Sequence, residues 1–361
     1  MTDKQNRTLP AQPALCRILD ANLDRAREGL RIIEEWCRFG LNSADLAGEC
    51  KQLRQELAFW HAAEFRSARD TPEDPGTQLS HPQEEQRSSI QQLLEANFCR
   101  VEEALRVLEE YGKIYDPNMG KAFKQMRYRV YILESDLLAY QRYQQLWRSQ
   151  LYLVTSARDN LLGVVEAALQ GGVTLVQYRE KTADDDGVKL AVVRRLCEIC
   201  HRYDALLIVN DRVDLAIAAN ADGVHLGQQD LPVVEARRLL GPGRIIGRST
   251  TSAQEMQRAV EEGADYIGVG PVYPTPTKPD KQAAGLDYVR YAATKSPIPW
   301  FAIGGIDINN LDEVLNAGAQ RVAVVRAIME AEQPTLVTQF FISQLLRMEK
   351  LKAHNILPVK R

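Results

Sequence analysis

Three short stretches decide the fold: LLIVND (residues 206–211), DGVHLG (222–227) and RIIGRST (244–250). Each is a compact apolar run that ends in polar residues, the texture of a strand buried on both faces, as in a parallel sheet. The same texture repeats outward in both directions. LYLVTS (151–156) and TLVQYRE (174–180) precede these stretches, and DYIGVGPVY (265–273), PWFAIGGI (299–306) and RVAVVRAI (321–328) follow them. Amphipathic stretches such as 160–170, 253–262 and 309–316 separate most of them. Eight strand–helix units in roughly 180 residues predict an α/β chain folded as a compact (β/α)8 TIM barrel. An open doubly wound sheet would carry a Gly-rich dinucleotide turn after its first strand. Thr155-Ser156-Ala157 stands there instead.

Before residue 147 the chain is rich in Leu, Glu, Arg and Gln with a helical period. LDANLDRAREGLRIIEEW (19–36) recurs as LEANFCRVEEALRVLEEY (94–111). Asn22, Arg25, Glu28, Leu30, Arg31, Glu34 and Glu35 return as Asn97, Arg100, Glu103, Leu105, Arg106, Glu109 and Glu110. A second helix follows each copy, KQLRQELAFW (51–60) and KQMRYRVYIL (124–133). This duplicated hairpin predicts an all-α helical-bundle domain over residues 1–147, ahead of a barrel domain over 148–361. The segment 70–86, rich in Pro, Gly and acid, reads as an exposed loop. Asn22, Arg25 and Glu28 step by three and share a helix face, expected to be solvated rather than an anion pocket.

The 361 residues exceed what one compact domain needs, which agrees with two domains. A formal charge of −3 with no polybasic run argues against a nucleic-acid partner. No apolar run is long enough for a membrane span, and the polar N-terminus lacks the apolar core of a signal peptide. A cytoplasmic protein is expected. CEICH (197–201) matches the haem-attachment pattern by letter. Inside a helical stretch with no second pair, its cysteines read as small buried apolar residues.

In such barrels chemistry gathers at the C-terminal strand ends, where the βα loops converge. Strand two ends in QYREK, and alternation directs Gln177, Arg179 and Lys181 to one side, towards the barrel mouth. Strand three ends in Asn210-Asp211, strand four runs through His225 to Asp230, and strand five delivers Ser249. PTPTK (274–278) after strand six supplies Thr275, Thr277 and Lys278. Strand seven ends in Gly304-Gly305 and strand eight reaches Val325-Arg326. Arg179, Lys181 and Lys278 suit a phosphate-rich ligand. Asp211 and Asp230, with no Cys or His companion, suit Mg²⁺ bound together with a pyrophosphate. Gly304-Gly305 lets a second phosphate approach the backbone closely.

Taken singly, these residues have structural readings too. Asp211 caps a helix, the glycines make a turn, the threonines shape a loop, the cations are solvated and His225 is packing. Their joint placement at successive strand ends favours a site. Two anion sites without a nucleophile–base pair predict departure of pyrophosphate, helped by Mg²⁺ and cations.

The ordered set QYREK, NDR, DGVHLGQQD, IGRST, GVGPVYPTPTK and AIGGI resembles the thiamine phosphate synthase (thiamine-phosphate pyrophosphorylase) family over residues 151–329. The resemblance implies a transferase of thiamine biosynthesis. It would condense 4-amino-5-hydroxymethyl-2-methylpyrimidine pyrophosphate with a (carboxy)thiazole phosphate, giving thiamine phosphate and pyrophosphate, with loss of CO₂ from the carboxylated form. It implies that Gln177, Arg179, Lys181 and Asn210 hold the pyrimidine pyrophosphate and that Asp211 and Asp230 hold Mg²⁺. Ser249 and Lys278 would face the reacting pyrophosphate, and with Arg179 and Lys181 they form the implied catalytic set. Thr275, Thr277, Gly305, Val325 and Arg326 would meet the thiazole phosphate, although the family often has Ser where Arg326 stands. The helical half lies outside the resemblance, and self-association into a homo-oligomer is the role expected of it. Two competing readings are a thiazole-phosphate isomerase and a non-catalytic sensor of thiamine intermediates. An isomerase has no use for Arg179, Lys181, Asp211 and Asp230 together.

Overall fold

The computed structural model describes residues 13–69, 87, 89–181, 185–275 and 282–356, with side chains described to residue 350. The chain divides into two compact units, Met1–Leu138 and Ala139–Arg361. The segment 70–86, read as a loop, lies outside the described residues.

The first unit is helical: α1 (Pro13–Glu35), α2 (Ala44–Phe59), a short α3 (Ala63–Ser67), α4 (Ile90–Tyr115) and the first part of α5 (Pro117–Arg148). Ser43 and Ser89 start α2 and α4 by accepting hydrogen bonds from the Leu46 and Gln92 amides. Leu19, Leu23, Ala26, Leu30 and Ile33 form the buried stripe of α1, and Leu94, Phe98, Val101, Leu105 and Leu108 form that of α4. The two helices touch at Gly29, where a Cβ would lie 2.6 Å from Val101 Cγ2.

The repeat gives its recurring polar residues matching environments. Buried Asn22 and Asn97 each donate to the carbonyl one turn back, Ile18 O at 2.8 Å and Leu93 O at 2.7 Å. The Glu34–Arg54 ion pair of the first hairpin returns as Glu109–Arg127 at 2.9 Å in the second. Of the face expected to be solvated, Arg25 and Glu28 are exposed, as are Arg100 and Glu103, whereas Asn22 and Asn97 are buried against that expectation because their side chains bond the helix backbone.

The second unit is a closed, all-parallel barrel in sequence order. Its strands are β1 (Leu151–Val154), β2 (Leu175–Tyr178), β3 (Leu206–Asn210), β4 (Gly223–Leu226), β5 (Ile245–Thr250), β6 (Tyr266–Val269), β7 (Trp300–Ile303) and β8 (Val322–Val324). Closure sets Leu151 opposite Val322. Alternation sorts each strand. Leu153, Val176, Leu207, Val224, Ile246 and Ile267 face the surrounding helices, whereas Tyr152, Leu175, Leu206, Ile245, Tyr266 and Phe301 fill the interior.

Three boundaries differ from the expected ones. β6 stops at Val269, just ahead of Pro271, which has no amide to donate. β8 stops at Val324, and Arg326–Met329 form a short helix. The units part at Leu138 rather than after 147, because Leu146, on the last turns of α5, is buried within the barrel's interior cluster. Cys197 and Cys200 lie buried on the helix Asp186–Arg202, and burial pushes the Cys197 thiol up to about 12. Among the described residues no helix is long and apolar enough to cross a membrane.

Gly247 on β5 is required by its neighbour. A Cβ there would stand 2.1 Å from Cζ of Tyr266, whose fully buried ring is walled by Tyr152 and Phe301. Gly247→Ala is expected to lower the stability of the barrel by about 1–3 kcal/mol, the usual cost of overpacking a core. Thermal unfolding checks this, and an unshifted midpoint would show that the ring has room to move.

Candidate active site

A cavity of about 310 Å³ opens at the C-terminal ends of the strands. Gln177, Arg179, Asn210, Ser249, Thr275, Gly305, Val325 and Arg326 all line it, so strand alternation brings together eight of the residues picked out in the sequence. Lys181, Asp211 and Asp230 do not line it; they form a cluster of their own at the ends of β2, β3 and β4. Thr277 and Lys278 lie outside the described residues.

Arg179 extends beyond β2, its amide held at 2.9 Å by the buried Thr155 hydroxyl at the end of β1. Among the described residues neither its guanidinium nor that of Arg326 has a hydrogen-bond or ion-pair partner in the protein. Two unneutralised guanidinium groups thus border one cavity, an arrangement suited to anionic groups on a ligand. Gly304 and Gly305 adopt φ of 105° and 69°. A Cβ on Gly304 would lie 2.5 Å from Cα of Pro271, and one on Gly305 2.8 Å from Cβ of Tyr273. Both positions therefore need glycine, because the loop after β6 is stitched onto them by Val272 N to Ile303 O (2.9 Å) and Tyr273 N to Gly304 O (3.0 Å).

Asp211 has φ of 62°, an unusual backbone for a non-glycine residue. That turn aims its carboxylate at the Lys181 ammonium and at Asp230 rather than at a helix end. Asp230 also accepts from the Gly227 amide at 2.6 Å. Burial works against ionisation of Asp211, but the hydrogen bond from Asp230 and the charge of Lys181 hold it below the usual carboxylate range. Burial, and then the neighbouring Asp211, push Asp230 up. Two neighbouring carboxyl groups form an all-oxygen donor pair, which fits a hard divalent cation.

His225, left open in the sequence, belongs to the cavity wall. Its Nε2 lies 2.9 Å from Ser249 Oγ and its Nδ1 3.0 Å from the Tyr266 hydroxyl. Sequence reasoning passed over Tyr152, Tyr266, Phe301, Asp307 and Glu330, which also line the cavity. The inward parity that selects Gln177 and Ser249 would have found Tyr152 and Tyr266. Both instead read as ordinary core aromatics.

The family described as "Thiamine monophosphate synthase" matches residues 151–328, and the "ThiD2 family" matches residues 17–136. A "Thiamine-phosphate synthase" of Nostoc sp. is 68% identical over 349 residues, which are 97% of this chain and 99% of that one. The chain belongs to the thiamine-phosphate synthase family. A family member from Prochlorococcus marinus is 46% identical and spans 91% of this chain and 96% of its own. These spans take in the helical half, which the residues quoted from the barrel had left aside. Among solved structures, a thiamine phosphate pyrophosphorylase from Pyrococcus furiosus matches at 35% identity with a TM-score of 0.52. That match covers 57% of this chain and 98% of the other.

Proposed function

We propose that the barrel unit condenses 4-amino-5-hydroxymethyl-2-methylpyrimidine pyrophosphate with a thiazole phosphate to give thiamine phosphate and pyrophosphate, a carboxylated thiazole phosphate also losing its carboxyl group as CO₂, in the cytoplasm. The observation that carries this reading is the pair of unneutralised guanidinium groups, Arg179 and Arg326, on one cavity beside the Asp211–Asp230 carboxyl pair. The reaction breaks the bond between the pyrimidine methylene carbon and the pyrophosphate oxygen, which keeps the electron pair. The thiazole nitrogen lone pair then forms the new C–N bond. The transition state therefore asks for stabilisation of an anion rather than for a base.

In this reading Gln177 and Asn210 orient the pyrimidine half, and Arg179, Lys181, Ser249 and Lys278 meet the pyrophosphate. Thr275, Thr277, Gly305 and the Val325-Arg326 backbone hold the thiazole phosphate, with the Arg326 guanidinium adding charge there. Asp211 and Asp230 would hold Mg²⁺, which when bound neutralises charge on the departing pyrophosphate. Lys181, paired with Asp211, keeps that carboxylate ionised and in place. The helical unit, with exposed Phe39, Phe59 and Ile132, is assigned self-association. Sedimentation of the full chain checks this, and a monomeric mass would refute it.

The test is product formation from the two phosphorylated substrates with Mg²⁺ and then with excess chelator. Mg²⁺-dependent thiamine phosphate is expected. Asp211→Asn is expected to lower turnover about 100-fold or more, in line with the loss of a metal-centred charge, and part of that loss should return at high Mg²⁺. A folded chain that binds the substrates without turnover would favour the sensor reading instead.

A further inference from the structure

Asp230 stands in the turn that follows β4, beyond the strand's last residue, Leu226. Asp211 is tied to the barrel more directly, its amide donating to His225 O on β4 at 2.8 Å. The turn after β4 closes on itself. Gly227 N donates to an Asp230 carboxylate oxygen at 2.6 Å, and the Asp230 amide donates back to Gly227 O at 3.2 Å. Two side-chain bonds then fasten this closed turn to β5. Gln228 Nε2 donates to Ser249 O at 2.6 Å, and Arg248 Nη1 donates to Leu231 O at 3.1 Å. Their β5 ends are neighbours in sequence, and their ends on the turn bracket Asp230. Gln228 Oε1 accepts from Arg258 on the helix Ala253–Glu261, which fixes the donor end of the amide towards Ser249.

Arg248 is the unexpected member of this set. It shares the parity of Ile246, which packs against the surrounding helices, and it is only 5% exposed. Arg142 and Arg237, both more exposed, each hold a carboxylate, Asp222 and Asp265. Among the described residues Arg248 has no carboxylate partner, and its side-chain hydrogen bond goes to the neutral Leu231 carbonyl. A buried charge with one neutral acceptor costs more than it returns, and an apolar side chain of similar volume would serve the packing better. Stability therefore does not account for an arginine here.

We infer that Arg248, together with Gln228, is a positioning residue that clamps the turn after β4 onto β5, so that the Asp230 carboxylate is held beside Asp211 for a divalent cation. The inference rests on the reading of Asp211 and Asp230 as the Mg²⁺ pair. A cation shared by two carboxylates needs both held in place, and only Asp211 is held by a main-chain bond to a neighbouring strand. The clamp supplies the equivalent restraint for Asp230. It also ties that carboxylate to the β5 segment that carries Ser249, the residue assigned to the departing pyrophosphate.

The experiment titrates Mn²⁺ alone into the full chain, read by the electron paramagnetic resonance signal of the free ion, beside a metal-free thermal melt. Asp211→Asn defines the binding that belongs to this pair. Arg248→Met keeps a long side chain without a donor. It is expected to weaken Mn²⁺ binding at the pair by about tenfold, the usual effect of removing a group that orients a metal ligand. The Mg²⁺ needed for half-maximal turnover should rise by a similar factor. The thermal midpoint should stay level or rise, because the unpaired buried guanidinium is gone. Arg248→Lys keeps a cationic donor and should recover part of the affinity. Gln228→Leu cuts the other fastening and should weaken Mn²⁺ binding in the same direction, which keeps the test open if Arg248→Met folds poorly.

A midpoint that falls in Arg248→Met while Mn²⁺ affinity holds would make the arginine a packing residue and overturn the inference. So would parental affinity in both Arg248→Met and Gln228→Leu, and either result would leave the synthase reading standing. No Mn²⁺ binding by the unaltered chain, or binding that Asp211→Asn does not reduce, would instead remove the cation from this pair and overturn the reading beneath the inference.

Discussion

Arg179→Ala is expected to lower kcat/KM for thiamine phosphate formation by about 10²–10³-fold, the cost of deleting one preorganised group that meets developing charge. The geometry sets this expectation apart from that for an ordinary surface arginine. Arg179 is placed by β2 and by the Thr155 hydroxyl on its amide, and its guanidinium reaches the cavity without a protein partner among the described residues. Removing it orphans nothing in the protein, so stability should stay within about 0.5 kcal/mol of the parent. Arg179→Lys keeps the charge but loses the planar fork and should recover only part of the rate. Steady-state kinetics beside a thermal melt separates the two effects. Full activity in Arg179→Ala would remove this residue from the pyrophosphate site.

The second large effect is expected at the opposite end of the barrel. Asp222 precedes β4 and is almost wholly buried. One carboxylate oxygen accepts from Arg142 Nε at 3.0 Å. The other accepts from His201 Nε2 and from the Leu207 amide, each at 2.9 Å. Asp222→Ala would leave Arg142 without its ion-pair partner and a buried backbone N–H unpaired, and should destabilise the barrel by about 3–5 kcal/mol.

The effect should depend on pH. Burial alone would raise the Asp222 carboxyl, but His201 and Arg142 hold it below its ordinary value. Its contribution is therefore present above the usual carboxylate range and lost as pH falls through its depressed value. The hydrogen bond to Asp222 raises His201, so that contribution is complete below the ordinary imidazole range and lost as pH rises through the raised value. The gap between parent and variant should be widest near about pH 5–6 and narrower near about pH 8–9. Urea unfolding at both values measures it, and a gap that widens at high pH would contradict the assignment.

The legible part of this protein followed from periodicity. Alternation in QYREK assigned Gln177 and Arg179 to one side, and both line the cavity. The repeat of Asn22 as Asn97 and of Glu34 as Glu109 predicted paired hairpins, and each copy makes the same contacts. The same parity passed over Tyr152 and Tyr266. An inward aromatic reads as packing until the partner of its hydroxyl is known, and those partners lie on strands 25 and 41 residues or more away. Lys181 shows the reverse case. Its parity agreed with that of Arg179, but the left-handed turn at Asp211 draws it into an ion pair beside the cavity wall.

By itself the sequence determined the number and order of the strands, the duplicated helices, and which residue types reach the strand ends. Those properties depend on local period and on near neighbours along the chain. Tertiary structure alone decided which side chains meet. Closure of β8 onto β1 brings Tyr152 to Tyr266 across 114 residues of chain, and a positive φ at one aspartate aims its carboxylate at Lys181 and Asp230. Hydrogen bonds and ion pairs act over a few ångströms of space whatever the separation in sequence, so this part of the site exists only in the folded barrel.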